Sequence, residues 1–206
     1  MKNNIDYKLY LVTDRGILKG RDITVAVEAA IKGGATLVQL REKDITTSDF
    51  YKVALKVKEV TSSYGVPLII NDRIDIALAV DAEGIHVGQS DMPCEIVRKI
   101  VGKDKIVGVS TSTIEEAKKA EKDGADYIGV GAVFPTISKD DAKSVSIELL
   151  KAIKESVTIP VVAIGGISSK NVALLKPANI EGVAVISDIL GKDDITLAAK
   201  ELKELI

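Results

Sequence analysis

The chain of 206 residues has a single cysteine, Cys94, and a single histidine, His86. One cysteine excludes an internal disulfide and every zinc site built on thiolates, and one histidine leaves no second imidazole to anchor a typical zinc centre. Ordinary roles remain for both: Cys94 as a small side chain at the start of a helix, His86 as a hydrogen-bonded interior residue. Long apolar runs are lacking too, since none approaches the roughly 20 residues of a membrane span, and the opening MKNNIDYKLY has neither a signal-peptide core nor an arginine-rich transit pattern. A cytoplasmic protein with no membrane association is expected. Nor is there an excess of one charge: 28 Lys and Arg face 30 Asp and Glu, a net charge of −2 with both signs interspersed. That speaks against a nucleic-acid partner and confines any anion binding to local clusters. With no linker or break in composition, residues 1–206 are expected to form one domain.

What the chain does have is a regular alternation. Short β-branched runs fall at Leu9 to Thr13, Leu37 to Arg41, Leu68 to Asn71, Gly84 to Val87, Ile106 to Val109, Tyr127 to Val130, Val161 to Ile164 and Gly182 to Ile186. Stretches of helical period fit between them, for example Ile23 to Lys32, Ser48 to Ser63, Ile114 to Asp123 and Ile147 to Glu155. Parallel strands joined by helical crossovers give this pattern, and so many units in a chain this short suit a (β/α)8 TIM barrel better than an open sheet. Gly33-Gly34-Ala35 and Asp123-Gly124-Ala125 read as helix ends feeding the next strand.

Three of the apolar runs end in dense polar clusters: VQLREK (Val38 to Lys43), LIINDR (Leu68 to Arg73) and GIHVGQSD (Gly84 to Asp91). A strand has period two, so Val38 and Leu40 are expected to face the helices, while Gln39, Arg41 and Lys43 line the barrel and its mouth. By the same parity His86 and Ser110 point inward. The polar residues thus collect at the C-terminal ends of strands, where barrels of this kind carry their sites.

Arg41 and Lys43 are two cations near a barrel axis. Unless Glu42 or Asp44 pairs with them they await a phosphate or diphosphate, with a structural ion-pair network as the alternative, and parity turns Glu42 away from them. Asp72 and Asp91 end neighbouring strands. They suit Mg²⁺, which uses one or two carboxylates together with phosphate oxygens and water, and they equally suit the caps of the helices that follow. The polar segment Phe134 to Ser144 reads as a mobile loop that could serve as a lid, with Lys139 reaching inward. AIGGIS and VAVIS close the last two strands and offer backbone amides for a phosphate cradle.

Taken together, the ordered motifs QLREK, INDR, GIHVGQSD, GVS, FPT followed by a lysine, AIGG and VAVIS resemble the thiamine phosphate synthase family from YLVTD to VAVIS. The resemblance implies a (β/α)8 fold, Mg²⁺ as cofactor and two small-molecule substrates: 4-amino-5-hydroxymethyl-2-methylpyrimidine diphosphate and 4-methyl-5-(2-phosphoethyl)thiazole, joined with release of pyrophosphate. It places Gln39, Leu40, Arg41, Glu42, Lys43, Asn71, Ser110 and Lys139 on the pyrimidine diphosphate. Thr136, Ile137, Ser138, Gly165, Gly166, Ile186 and Ser187 fall on the thiazole phosphate, and Asp72 and Asp91 on the metal. In chemical terms Arg41, Lys43 and Lys139 would neutralise the leaving group. The chain departs from the pattern at Ser112, where the family often has histidine, and at Ser138, where it has threonine. A thiazole tautomerase shares the barrel without a diphosphate and metal set, and a non-catalytic phosphate sensor is a further alternative.

Overall fold

The apolar runs become strands of one closed, all-parallel barrel, in a computed structural model that describes residues 5–136 and 144–206. The strands are β1 (Leu9–Val12), β2 (Leu37–Leu40), β3 (Leu68–Asn71), β4 (Gly84–Val87), β5 (Ile106–Thr111), β6 (Tyr127–Val130), β7 (Val161–Ile164) and β8 (Gly182–Val185), paired in chain order with β8 returning to β1. Around them lie α1 (Arg15–Leu18), α2 (Ile23–Lys32), α3 (Thr47–Ser63), α4 (Ile74–Ala79), α5 (Cys94–Val101), α6 (Ile114–Lys122), α7 (Ile147–Ser156), α8 (Ser187–Leu190) and α9 (Ile195–Leu205), with a 3-10 helix over Val172–Ala178. Local chemistry sets the helix starts: Asp22, Thr46, Thr113, Ser146 and Asp194 each accept a hydrogen bond from a first-turn amide. Gly34 and Gly124, at φ 107° and 92°, follow the ends of α2 and α6 as their sequence suggested. Among the described residues no helix is long and apolar enough to cross a membrane.

Strand parity divides the core into two layers. Val38, Leu40, Ile70, Ile85, Val107 and Ile128 pack outward with the helices, while Tyr10, Val12, Leu37, Ile69, Ile106, Tyr127, Val162 and Ala184 fill the barrel. Each fully buried aliphatic side chain in these layers contributes about 1.5–3 kcal/mol relative to exposure. Gly108 makes the inner layer possible, because a Cβ there would fall 2.2 Å from Cζ of Tyr127. Cys94 opens α5 as expected, buried, its thiol pushed up to about 11 chiefly by desolvation, which keeps it an inert packing group.

The N-terminal end of the barrel carries a repeating device. The amide near the start of every odd strand is taken by the side chain just before the next even strand: Leu9 by Thr36 at 3.1 Å, and Leu68 by Glu83, Val107 by Asp126 and Val161 by Glu181, each at 2.8 Å. Lys58, Arg98 and Lys154 pair with the three carboxylates. Buried strand ends therefore keep no orphaned donor at these positions.

Two expectations need correction. β1 and β2 end one residue early, at Val12 and Leu40, because Thr13 and Arg41 turn into the loops and bond to each other there, Arg41 N to Thr13 Oγ1 at 2.9 Å, and β8 also ends one residue early, at Val185. Asp72 and Asp91 are not helix caps: α4 and α5 begin from Arg73 and Pro93, neither helix has a side-chain cap, and the two carboxylates point elsewhere.

Candidate functional site

A cavity of about 420 Å³ opens at the C-terminal mouth and is lined from all eight strands. Its lining includes Gln39, Arg41, Lys43, Asn71, Asp72, Asp91, Ser110, Thr136, Gly165, Gly166, Ile186 and Ser187, so twelve of the positions singled out in the sequence converge on one space. Leu40 and Glu42 do not join them. Leu40 is fully buried in the outer layer, and Glu42 is held by the Arg15 guanidinium through Nε at 3.0 Å and Nη2 at 2.7 Å. Ile137, Ser138 and Lys139, with most of the proposed lid, lie outside the described residues.

On one side of the mouth stand the charges. Arg41 Nη1 meets Asp14 Oδ2 at 3.0 Å, and Lys43 Nζ meets Asp72 Oδ2 at 2.6 Å. The cations are therefore paired, as in the ion-pair alternative, though by carboxylates from the neighbouring strand ends and not by Glu42 or Asp44. Asp14 does double duty, since its Oδ1 caps α1 by accepting from Ile17 N at 3.1 Å. Asp72 adopts φ 61°, a left-handed conformation that costs a non-glycine residue about 1–2 kcal/mol and here turns the carboxylate toward the mouth. Asp91 Oδ2 accepts from Gly88 N at 2.7 Å. No cluster of three or more His, Cys, Asp or Glu exists among the described residues; of the three carboxylates that line the cavity Glu116 is held by Ser112, which leaves Asp72 and Asp91 as the oxygen donors for a hard cation.

Opposite the charges the wall is backbone. Gly165 and Gly166 have φ 101° and 62°, and a Cβ on Gly166 would fall 2.4 Å from the Pro135 carbonyl oxygen. Only glycine fits that turn. Asn171 locks it, donating from Nδ2 to Gly166 O at 2.9 Å and accepting from Ser168 N at 2.8 Å. Ile186 and Ser187, where α8 begins without a side-chain cap, complete this wall.

The floor is a chain of buried polar groups. Gln39 Nε2 donates to Tyr10 Oη at 2.8 Å, Tyr10 and Tyr127 join their hydroxyls at 2.7 Å, Tyr127 Oη reaches His86 Nδ1 at 2.9 Å, and His86 Nε2 reaches Ser110 Oγ at 2.9 Å. Burial raises the pKa of both phenols far enough that they stay protonated at any ordinary pH. His86 is thus the hydrogen-bonded interior residue expected of it. Above this floor Gln89 Nε2 holds Ser110 O at 2.7 Å, and Glu116 accepts from the amide and hydroxyl of Ser112 at 2.6 and 3.0 Å, the position where the chain departs from the family pattern.

Several of these residues were not foreseen. Asp14 and Arg15 lie just past β1 in the run VTDRG, whose polar ending resembles those of the flagged clusters and was the available signal. Tyr10 and Tyr127 sit inside apolar strands and read as core until the barrel closes over them.

Comparison with known proteins agrees along the length of the chain. Residues 9–189 match the family described as thiamine monophosphate synthase. A thiamine-phosphate synthase of Clostridium tetani is 63% identical over 97% of this chain and 95% of its own, and one of Alkaliphilus oremlandii is 59% identical over the whole of both. Among solved structures, thiamine phosphate pyrophosphorylase from Pyrococcus furiosus superimposes with a TM-score of 0.91 at 41% identity, covering 98% of this chain and 96% of its own.

Proposed function

Because the chain belongs to the thiamine monophosphate synthase family, we propose that it is the transferase that joins 4-amino-5-hydroxymethyl-2-methylpyrimidine diphosphate to 4-methyl-5-(2-phosphoethyl)thiazole, forming thiamine phosphate and pyrophosphate. The observation that carries this reading is the two-sided mouth: cations and carboxylates on the β2 to β4 side, a glycine-built backbone wall at β7 and β8. A substrate pair with a diphosphate on one partner and a phosphate monoester on the other needs two such unlike walls.

In the reaction the bond between the pyrimidine methylene carbon and the diphosphate oxygen breaks, its electrons leaving with the oxygen, and the lone pair of the thiazole nitrogen closes on the carbon. Electron release from the aminopyrimidine ring eases the first step. Arg41 and Lys43 neutralise the charge that gathers on the leaving diphosphate. Asp14 holds one nitrogen of the Arg41 guanidinium and fixes its plane, leaving the rest of the fork for phosphate oxygens. Gly165, Gly166, Ile186 and Ser187 hold the thiazole phosphate through backbone amides and a hydroxyl. Bringing carbon and nitrogen into line does the remainder, and no side-chain nucleophile or general base is needed.

The donor set fits Mg²⁺: two carboxylates from adjacent strand ends, neither spent on a helix, one of them in a strained left-handed backbone. Asp72 and Asp91 would hold it, and when bound it would add a divalent charge to the neutralisation of the diphosphate. Release of pyrophosphate from the two substrates, measured with and without Mg²⁺, tests the reading. Metal-dependent release supports it, and no release from the pair under either condition would overturn it.

A further inference from the structure

The chain of hydrogen bonds beneath the cavity has a direction that donor counting can fix. An amide nitrogen only donates, so Tyr10 Oη accepts from Gln39 Nε2. The phenolic proton of Tyr10, in a residue 2% exposed, then has Tyr127 Oη as its acceptor at 2.7 Å. Tyr127 in turn gives its proton to His86 Nδ1. A ring nitrogen that accepts carries no proton, so the neutral imidazole keeps its proton on Nε2 and donates to Ser110 Oγ. Run the other way, Tyr10 Oη would receive from both Gln39 and Tyr127, and its own buried proton would have no acceptor within the chain. With Gln39 presenting Nε2 to Tyr10, only this direction satisfies every proton; an amide turned to present its carbonyl oxygen would reverse the relay and put the His86 proton on Nδ1.

The two ends of this chain are the parts that matter. Gln39 and Ser110 both line the cavity. With its nitrogen committed to Tyr10, the Gln39 amide offers its carbonyl oxygen, an acceptor. With its oxygen already receiving from His86, Ser110 offers its O–H, a donor. We infer that Tyr10, Tyr127 and His86 are positioning residues for a specificity device, a directional relay that holds Gln39 as acceptor and Ser110 as donor and so selects a ring edge that pairs an amino group with an unprotonated ring nitrogen. The relay rests on the proposed reaction only in placing the aminopyrimidine over Gln39 and Ser110. A pyrimidone, with a carbonyl and a ring N–H on the corresponding edge, presents the reverse pattern and leaves both groups unsatisfied. The geometry also explains why Tyr10 and Tyr127 stand in the inner layer: their rings pack edge to face at 5.9 Å while their hydroxyls carry the polarity across it.

Because His86 is the chain's one histidine, its imidazole nitrogens give an unambiguous NMR signature. In ¹⁵N-histidine-labelled protein at neutral pH the relay requires the Nε2–H tautomer, with Nδ1 as a hydrogen-bonded acceptor. This reading needs no substrate, so it stands apart from the proposed function: failure of the two substrates to react would overturn that function and leave the tautomer assignment intact. An Nδ1–H tautomer or an imidazolium would overturn the relay. Tyr127→Phe and Tyr10→Phe remove one hydroxyl each and should keep the packing, with thermal melts as the check. Both should raise KM for the pyrimidine diphosphate about tenfold and leave KM for the thiazole phosphate within about twofold. Tyr127→Phe should also release His86 from its fixed tautomer, a change that a merely structural phenol would not cause. Unchanged pyrimidine KM in a folded, active Tyr127→Phe protein, or equal affinity of the wild type for the amino- and oxo-pyrimidine diphosphates, would sink the device.

Discussion

The two ends of the barrel use the same residue types to opposite purposes. At the N-terminal end Glu83, Asp126 and Glu181 each accept a strand amide and each meet a cation, Lys58, Arg98 or Lys154. Backbone and cation together use the carboxylate, and the arrangement recurs at alternate strands as a structural ring would. At the C-terminal mouth Asp14 still joins a backbone amide to a cation, Ile17 N and Arg41, and Asp91 accepts Gly88 N, but Asp72 has the opposite character. Asp72 meets Lys43 from a left-handed backbone, and neither it nor Asp91 caps the helix that follows. An ion pair that closes backbone hydrogen bonding belongs to stability; one that costs backbone strain and opens on a cavity supports the part in the reaction proposed for Asp72 and Lys43.

The sharpest way to break this contrast is at the mouth. Asp72→Asn and Asp91→Asn should each lower Mg²⁺-dependent turnover by about a thousandfold while the melting temperature stays near that of the wild type, because the loss falls on charge stabilisation in the reacting complex. Rate against Mg²⁺ concentration reads this directly, and a wild-type metal response in both variants would falsify the assignment. Lys43→Met should come next, slowing single-turnover pyrophosphate release on the order of a hundredfold. An unchanged single-turnover rate would make Lys43 no more than the partner of Asp72.

At the far end the signs should reverse. Asp126→Ala removes the acceptor of Val107 N and leaves Arg98, whose side chain is 18% exposed, without its carboxylate. A loss of about 2 kcal/mol is expected, which at this chain length lowers the melting temperature by about 4–8 °C, with kcat and both KM values unchanged at a temperature where the protein is folded. Denaturant unfolding and steady-state kinetics on one preparation test both halves. A variant that melts normally but turns over slowly would contradict the division of labour.

How much of this was legible beforehand follows from the physics of each feature. Strands such as Leu68–Asn71, Gly84–Val87, Tyr127–Val130 and Val161–Ile164 could be bounded to the residue because period and turn chemistry are local. Parity then put Gln39, Arg41 and Lys43 on the correct face without any coordinates. Partnerships were another matter. That Arg41 would find Asp14, and Glu42 find Arg15, depends on the β1 and β2 register, in which Val12 lies beside Gln39, and no local pattern reports register between strands 27 residues apart. The Asp72 side chain misled for the same reason: its position before a helix reads as a cap, and only the tertiary pull of Lys43 and a left-handed backbone take it away. The tyrosine relay was hidden because a phenol in a strand counts as apolar until closure places Tyr10 and Tyr127 hydroxyl to hydroxyl.

The smallest effect belongs to the one member of the N-terminal ring that carries no charge. Thr36 accepts Leu9 N at 3.1 Å and returns a bond to Leu9 O at 3.2 Å, doing with a hydroxyl what Glu181 does for Val161 N with a carboxylate backed by Lys154. Thr36→Val keeps the β-branched shape and removes both bonds, so a loss of about 1 kcal/mol is expected. Glu181→Gln keeps the shape of its side chain and removes the charge, and because that side chain is 37% exposed the Coulombic part of its effect should shrink as salt is raised. Urea unfolding at low and high salt separates the two cases. The Thr36→Val deficit should hold constant while the Glu181→Gln deficit falls toward it, and a Thr36→Val deficit that also moved with salt would show that charge elsewhere in the ring, and not the amide acceptor, is what holds these strand ends.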